Sequence, residues 1–120
     1  MTLVTLVYGG NRMAREHRIA AVVNADLTSA AILEGMPDGQ DVLNELATHS
    51  QLKIVRVAPS CPCCTGNLTM RVTLNRLLRQ KPAALYLSLA DATHIANVKK
   101  FLQDEQYLAL LELGPELNCS

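Results

Sequence analysis

Apolar and polar positions fall into short blocks along this chain, and the blocks differ in kind. Leu3 to Tyr8 is a continuous apolar and β-branched run, the pattern of a strand buried on both faces. Gly9-Gly10-Asn11 ends it with turn residues. Arg12 to His17 is polar and short, enough for one or two helical turns. Arg18-Ile19-Ala20-Ala21-Val22-Val23-Asn24 reads as a second buried strand. The connection between these two strands is at the lower limit for a parallel crossover, so a hairpin-like pairing stays open. Asp26 or Thr28 is placed to cap a helix running to about Glu34, and Gly35-Met36-Pro37-Asp38-Gly39 breaks it. Asp38 or Asp41 then opens another helix, with Val42, Leu43, Leu46 and Ala47 at helical spacing.

The second half repeats the alternation. Leu52 to Ala58 is strand-like, with Ile54 to Ala58 as the third strand, and it leads into Ser60-Cys61-Pro62-Cys63-Cys64-Thr65. From Asn67, Leu68, Val72, Leu74, Leu77 and Leu78 recur near a 3.6 period, with Arg71, Arg76 and Arg79 largely off that stripe. Lys81-Pro82 ends this amphipathic helix. Ala84 to Leu89 is the fourth strand. Asp91 or Thr93 caps the next helix, whose apolar face is Ile95, Val98, Phe101 and Leu102. Tyr107 to Leu113 is a fifth strand, stopped by Gly114-Pro115. Strands alternating with helices predict an α/β fold, a three-layer sandwich around a mostly parallel five-stranded sheet. One domain spans residues 1–120, with a tail frayed from about residue 115.

Composition narrows the function classes. Acidic and basic residues balance, 11 against 11, so no global field draws the chain onto nucleic acid or an anionic membrane. The basic helix face of Arg71, Arg76, Arg79 and Lys81 lacks the stacking aromatics that single-stranded nucleic acid needs, and reads as a solvated surface. No apolar run approaches the length of a membrane span. The N-terminal run Met1 to Val7 lacks a basic n-region and a cleavage site, which predicts a cytoplasmic protein. In that reducing setting, clustered cysteines serve more often as metal ligands or redox groups than as structural disulfides.

Three of the four cysteines, Cys61, Cys63 and Cys64, lie within four positions between a strand and a helix. That loop sits where ligands bind in an open α/β sheet, and a helix N-terminus favours the thiolate. Thiolates are soft donors suited to zinc or Cu(I). Cys61 and Cys63 can converge on one ion, and Thr65-Gly66 allows the turn that brings Cys64 with them. A fourth ligand is open among water, a His, a carboxylate, Cys119 or a group from a second protomer. His94 is the best-placed histidine, just after the fourth strand; His17 and His49 read as surface residues. The same loop contains Cys61-x-x-Cys64, the layout of a redox dithiol. At Gly9-Gly10, two readings stand: a plain turn, or a remnant anion site with Arg12 or Arg15 as counter-ion.

Ser60-Cys61-Pro62-Cys63-Cys64-Thr65, with the helix through Thr73-Leu74-Asn75-Arg76-Leu77-Leu78, resembles the Cys-x-Cys-Cys segment of the CobW-type P-loop GTPases. Arg18 to Asn24 is similar to that family's second strand, and Leu89-Ala90-Asp91 to the Leu-Ala-Asp after its Walker B strand. The resemblance covers roughly residues 3–113 and implies a metallochaperone that binds zinc, cobalt or a related ion through the cysteines. It also implies a P-loop-NTPase-like sheet, here degenerate. A phosphate-binding loop needs Gly-x-x-x-x-Gly-Lys-[Ser/Thr]; this chain has Gly9-Gly10-Asn11-Arg12-Met13-Ala14-Arg15. Where the family carries Glu-Thr-Thr-Gly, this chain has Leu85-Tyr86-Leu87-Ser88, without the acidic residue. Asp91, near the nucleotide in the family, reads here as a helix cap.

The expectation is therefore a zinc-type metal-binding protein without GTP hydrolysis, with no bound nucleotide and no catalytic residues. Its partners are the metal ion and a client metalloprotein or GTPase relative, with a homodimer open, and neither nucleic acid nor membrane. Two alternatives stand beside it: a thiol redox protein using Cys61 and Cys64, and a non-catalytic interaction module for a GTPase relative.

Overall fold

The computed structural model describes residues 2–23, 27–34, 52–57, 65–89, 98–100, 102–103 and 109–119. Their elements run β1 (Thr2–Tyr8), α1 (Arg12–Val22), β2 (Ser29–Glu34), β3 (Leu52–Val57), α2 (Thr65–Leu78), β4 (Ala84–Leu89), β5 (Leu111–Leu113) and β6 (Leu117–Asn118). Residues 98–100 and 102 are also helical. The strands order as β3-β2-β4-β1-β5, with β6 also on β1, and every pairing among them is parallel. This is the α/β fold expected; among the described residues the sheet has six strand segments where five strands are expected, two of them, β5 and β6, on the same edge of β1.

Strand pleating sends alternate residues to opposite faces, and both faces are covered. Val4, Leu6, Ala30, Ile32, Leu85, Leu87 and Leu89 point to one face, where Leu74, Leu77 and Leu78 of α2 and Val98 and Leu102 pack on them. Val7, Ala31, Leu33, Leu52 and Tyr86 point to the other, against Ile19 of α1. The connections that leave the adjacent strands β1 and β4 therefore run over opposite faces. That makes the gap between their carboxyl ends the topological switch point of the sheet.

Two elements differ from the sequence-based expectation. Arg18 to Val22, expected in a strand, belongs to α1. The inward stripe of this helix is Arg12, Arg15, Glu16 and Ile19, spaced as helical neighbours and continued by the cap residue Val23, and of these Arg15, Glu16 and Ile19 are buried. The stripe is charged along half its length, so apolar periodicity does not reveal it. Ala21 and Val22, which made the run look strand-like, face outward. The helix expected up to Glu34 is instead the strand β2, which pairs with β3 and β4. Ala30, Ala31, Ile32 and Leu33 are all buried, and a short run buried on both faces carries no period to separate strand from helix. β1 and β2 do not pair; each lies beside β4.

The tail beyond residue 115 is paired, not frayed. Residues 111–113 lie beside residues 2–4 of β1, and residues 117–118 beside residues 7–8. The tail thus uses three intervening residues where β1 uses two, so β5 and β6 form one edge strand with a bulge at Gly114-Pro115-Glu116. Pro115 has no N–H to give a ladder, which suits it to a bulge on an edge. Gly114 N–H still donates to the Val4 carbonyl (2.8 Å), and Lys99 pairs with Glu116 across the bulge. β3 begins at Leu52 rather than Ile54, α2 begins at Thr65, and β4 matches the expected span. Of the expected fifth strand, Leu111 to Leu113 is strand and Ala109-Leu110 is turn. The helix expected over Val42 to Ala47 lies outside the described residues.

Candidate functional site

The switch point is built by the turn after β1, the start of α1 and the end of β4. Asn11 caps α1, its side-chain oxygen accepting the Ala14 N–H at 2.8 Å. Gly9 and Gly10 both have positive φ (81° and 59°), a region costly for any other residue. Gly10 has a second constraint: a Cβ there would meet the Cys119 carbonyl oxygen at 2.7 Å. These two demands account for the Gly-Gly pair within the fold.

Arg15, at 3% exposure, turns inward from the first turns of α1. Its Nε donates to Ser88 Oγ at 2.9 Å, and its Nη1 to the carbonyls of Gly9 (3.4 Å) and Gly10 (3.3 Å). Glu16, at 1% exposure, accepts from two guanidinium groups. Arg12 Nη1 reaches its Oε2 at 2.9 Å, while Arg56 grips both oxygens, Nη1 on Oε2 at 3.1 Å and Nη2 on Oε1 at 3.0 Å. A bidentate Arg–carboxylate pair is among the stronger polar contacts a protein makes. Arg56 is the penultimate residue of β3. The helix α1 is thereby bolted to the carboxyl ends of β1, β4 and β3. Tyr86 lies on the same sheet face, and burial raises its phenol above the ordinary value of 10.0.

Arg12 or Arg15 is the counter-ion expected from sequence for a remnant anion site; Glu16, Arg56 and Ser88 are not among the residues expected there. The signal for Glu16 was present: it stands four residues after Arg12 and three before Ile19. Arg56 and Ser88 come to α1 only through the sheet order, which no local spacing reports.

Cys61, Cys63, Cys64, His94, His49 and Asp91 lie outside the described residues. The elements flanking the cysteines are described: β3 ends at Val57 and α2 starts at Thr65, so the segment joins a strand's carboxyl end to a helix N-terminus. Cys119 is half-buried after β6, its N–H donating to the Tyr8 carbonyl at 2.8 Å. β6 and β3 are separated by β1, β4 and β2. At the usual strand spacing the end of β3 is about 19 Å from Cys119, so the structure does not bring Cys119 beside the base of the cysteine segment. His17 is exposed on α1. Among the described residues, no group of three or more His, Cys, Asp and Glu stands as ion ligands would. Also among them, no helix is long and apolar enough to cross a membrane.

No protein-family model, curated protein or solved structure matches this chain.

Proposed function

We propose that this chain is a small metal-binding protein that carries a thiophilic ion such as zinc on Cys61, Cys63 and Cys64, akin to CobW-type metallochaperones but without GTP hydrolysis. The supporting observation is where the segment stands: residues 58–64 connect the carboxyl end of β3 to the start of α2. Ligand-binding loops of parallel α/β sheets occupy that end, and a helix beginning directly after Cys64 favours the thiolate form. The donor set suits the ion, because clustered thiolates prefer zinc or Cu(I) to hard cations. Three thiolates leave a coordination position for an incoming ligand, which suits an ion that is cargo to be handed on. Each thiol must lose its proton to bind as the thiolate, so affinity falls as pH is lowered. The departures of Gly9 to Arg15 and of Leu85 to Ser88 from the family's motifs support the reading without GTP hydrolysis.

Elemental analysis with thiol counting, on protein purified in reductant without chelator, tests this. About one zinc per chain or per dimer is expected, with thiols protected until a chelator is added. The Cys61→Ala/Cys63→Ala double variant is expected to lose stoichiometric binding; retention there would refute the assignment. No uptake on titration, with a Cys61–Cys64 disulfide forming on mild oxidation, would move the loop to thiol redox exchange.

A further inference from the structure

The crevice at the carboxyl ends of β1 and β4 is the place that a sheet of this order offers to a ligand. A side chain of the protein already lies there. We propose that Arg15 is the resident ligand of this crevice: the site is built to hold a guanidinium cation, and it holds the chain's own. This assignment is independent of the cysteine segment and goes beyond the metal-binding reading.

Polarity is the first argument. A turn that receives a phosphate presents N–H groups to it. The Gly9-Gly10 turn presents carbonyl oxygens to Arg15, the groups that suit a cation. Shape is the second. Nε engages Ser88 on β4 while Nη1 engages the turn after β1, so the planar fork spans two strand ends at once. An ammonium group has no such fixed spread of donors. Burial is the third: at 3% exposure this cation is out of water, and a buried cation persists only where acceptors are already arranged for it. The fourth is the backing of the turn. The chain after β6 lies against Gly10, with Cys119 N–H bonded to the Tyr8 carbonyl. The positive φ values at Gly9 and Gly10 are thus held from both sides, by Arg15 and by the tail.

Thermal melting of Arg15→Ala, with and without methylguanidinium chloride, tests the assignment by chemical rescue. The variant is expected to melt about 10 °C below the parent. Methylguanidinium is expected to raise that melting temperature saturably, by about 5 °C at ten times its dissociation constant, and to leave the parent unmoved. Equal methylammonium chloride is expected to do neither. Absence of rescue, or equal rescue by methylammonium, would overturn the proposal. Arg15→Lys keeps the charge and most of the bulk, so it keeps the test decisive if Arg15→Ala does not fold. It is expected to melt several degrees low because the fork is lost, and a lysine variant as stable as the parent would refute a guanidinium-specific site. Inorganic pyrophosphate is the opposing probe on the unaltered protein: no shift is expected, and saturable stabilisation would show an open anion site instead.

Discussion

The two faces of the sheet are held by different chemistry. Among the described residues, Leu74, Leu77 and Leu78 of α2 meet an apolar sheet face, with Leu6, Ile32, Leu74, Leu77, Leu85 and Leu87 all at 1% exposure or less. Under α1 the described apolar cluster gives way, at the carboxyl ends of the strands, to Arg15, Glu16, Arg56 and Ser88. Apolar burial is non-directional and tolerates small shifts of a helix along a sheet. A buried charge must find a particular partner or it is costly. The α2 face is therefore held by apolar burial, and the α1 face fixes where one helix sits against three strand ends.

The largest effects should come from the apolar face. Leu87→Ala, in the middle of β4 and fully buried, is expected to cost about 3–4 kcal/mol, read as a lower urea midpoint at unchanged slope. On the other face, Glu16→Gln leaves Arg12 and Arg56 without their shared carboxylate and is expected to cost about 2–3 kcal/mol. Pairing it with Arg56→Met should recover about 1–2 kcal/mol as coupling, since the double variant removes both members of the bidentate pair. Additive single and double variants would mean that the bidentate pair adds nothing beyond its separate parts. Glu16→Gln costing more than Leu87→Ala would reverse the ranking of the two faces.

The same contrast explains what the sequence made legible. In β1, β3, α2 and β4 most of the buried residues are apolar, and the apolar pattern locates them within a few residues. Leu74, Leu77 and Leu78 were assigned to the inner face of α2 and are buried there, although Val72, assigned with them, is 49% exposed. The failure at α1 arises because Arg15 and Glu16 occupy positions that pattern reading reserves for apolar side chains. β2 was misread for another reason. Ala-Ala-Ile-Leu-Glu has good helix propensity, and only its place between β3 and β4 makes it a strand. β6 was missed because two residues after a Gly-Pro carry no period at all; β1 supplies the order. Of the candidate site, the cysteine segment is visible as a motif in sequence. The Arg15 crevice is visible only once the strand order places Ser88 beside the Gly9-Gly10 turn.

The mildest test of the α1 face uses alkaline pH. Tyr86 is at 7% exposure, and burial raises its phenol above 10.0 because the ionised form loses hydration there. The folded protein therefore keeps this proton at a pH where the unfolded chain has released it. The corresponding stability is fully present below 10.0 and is lost as pH rises through the raised folded value. Followed by phenolate absorbance, Tyr86 should titrate late. Tyr86→Phe should remove that late phase and flatten the alkaline loss of stability, with little change near neutrality. An absorbance titration that Tyr86→Phe leaves without a lost late phase would show that water reaches the α1 face at β4, and the contrast between an apolar α2 face and a charged but closed α1 face would fail there.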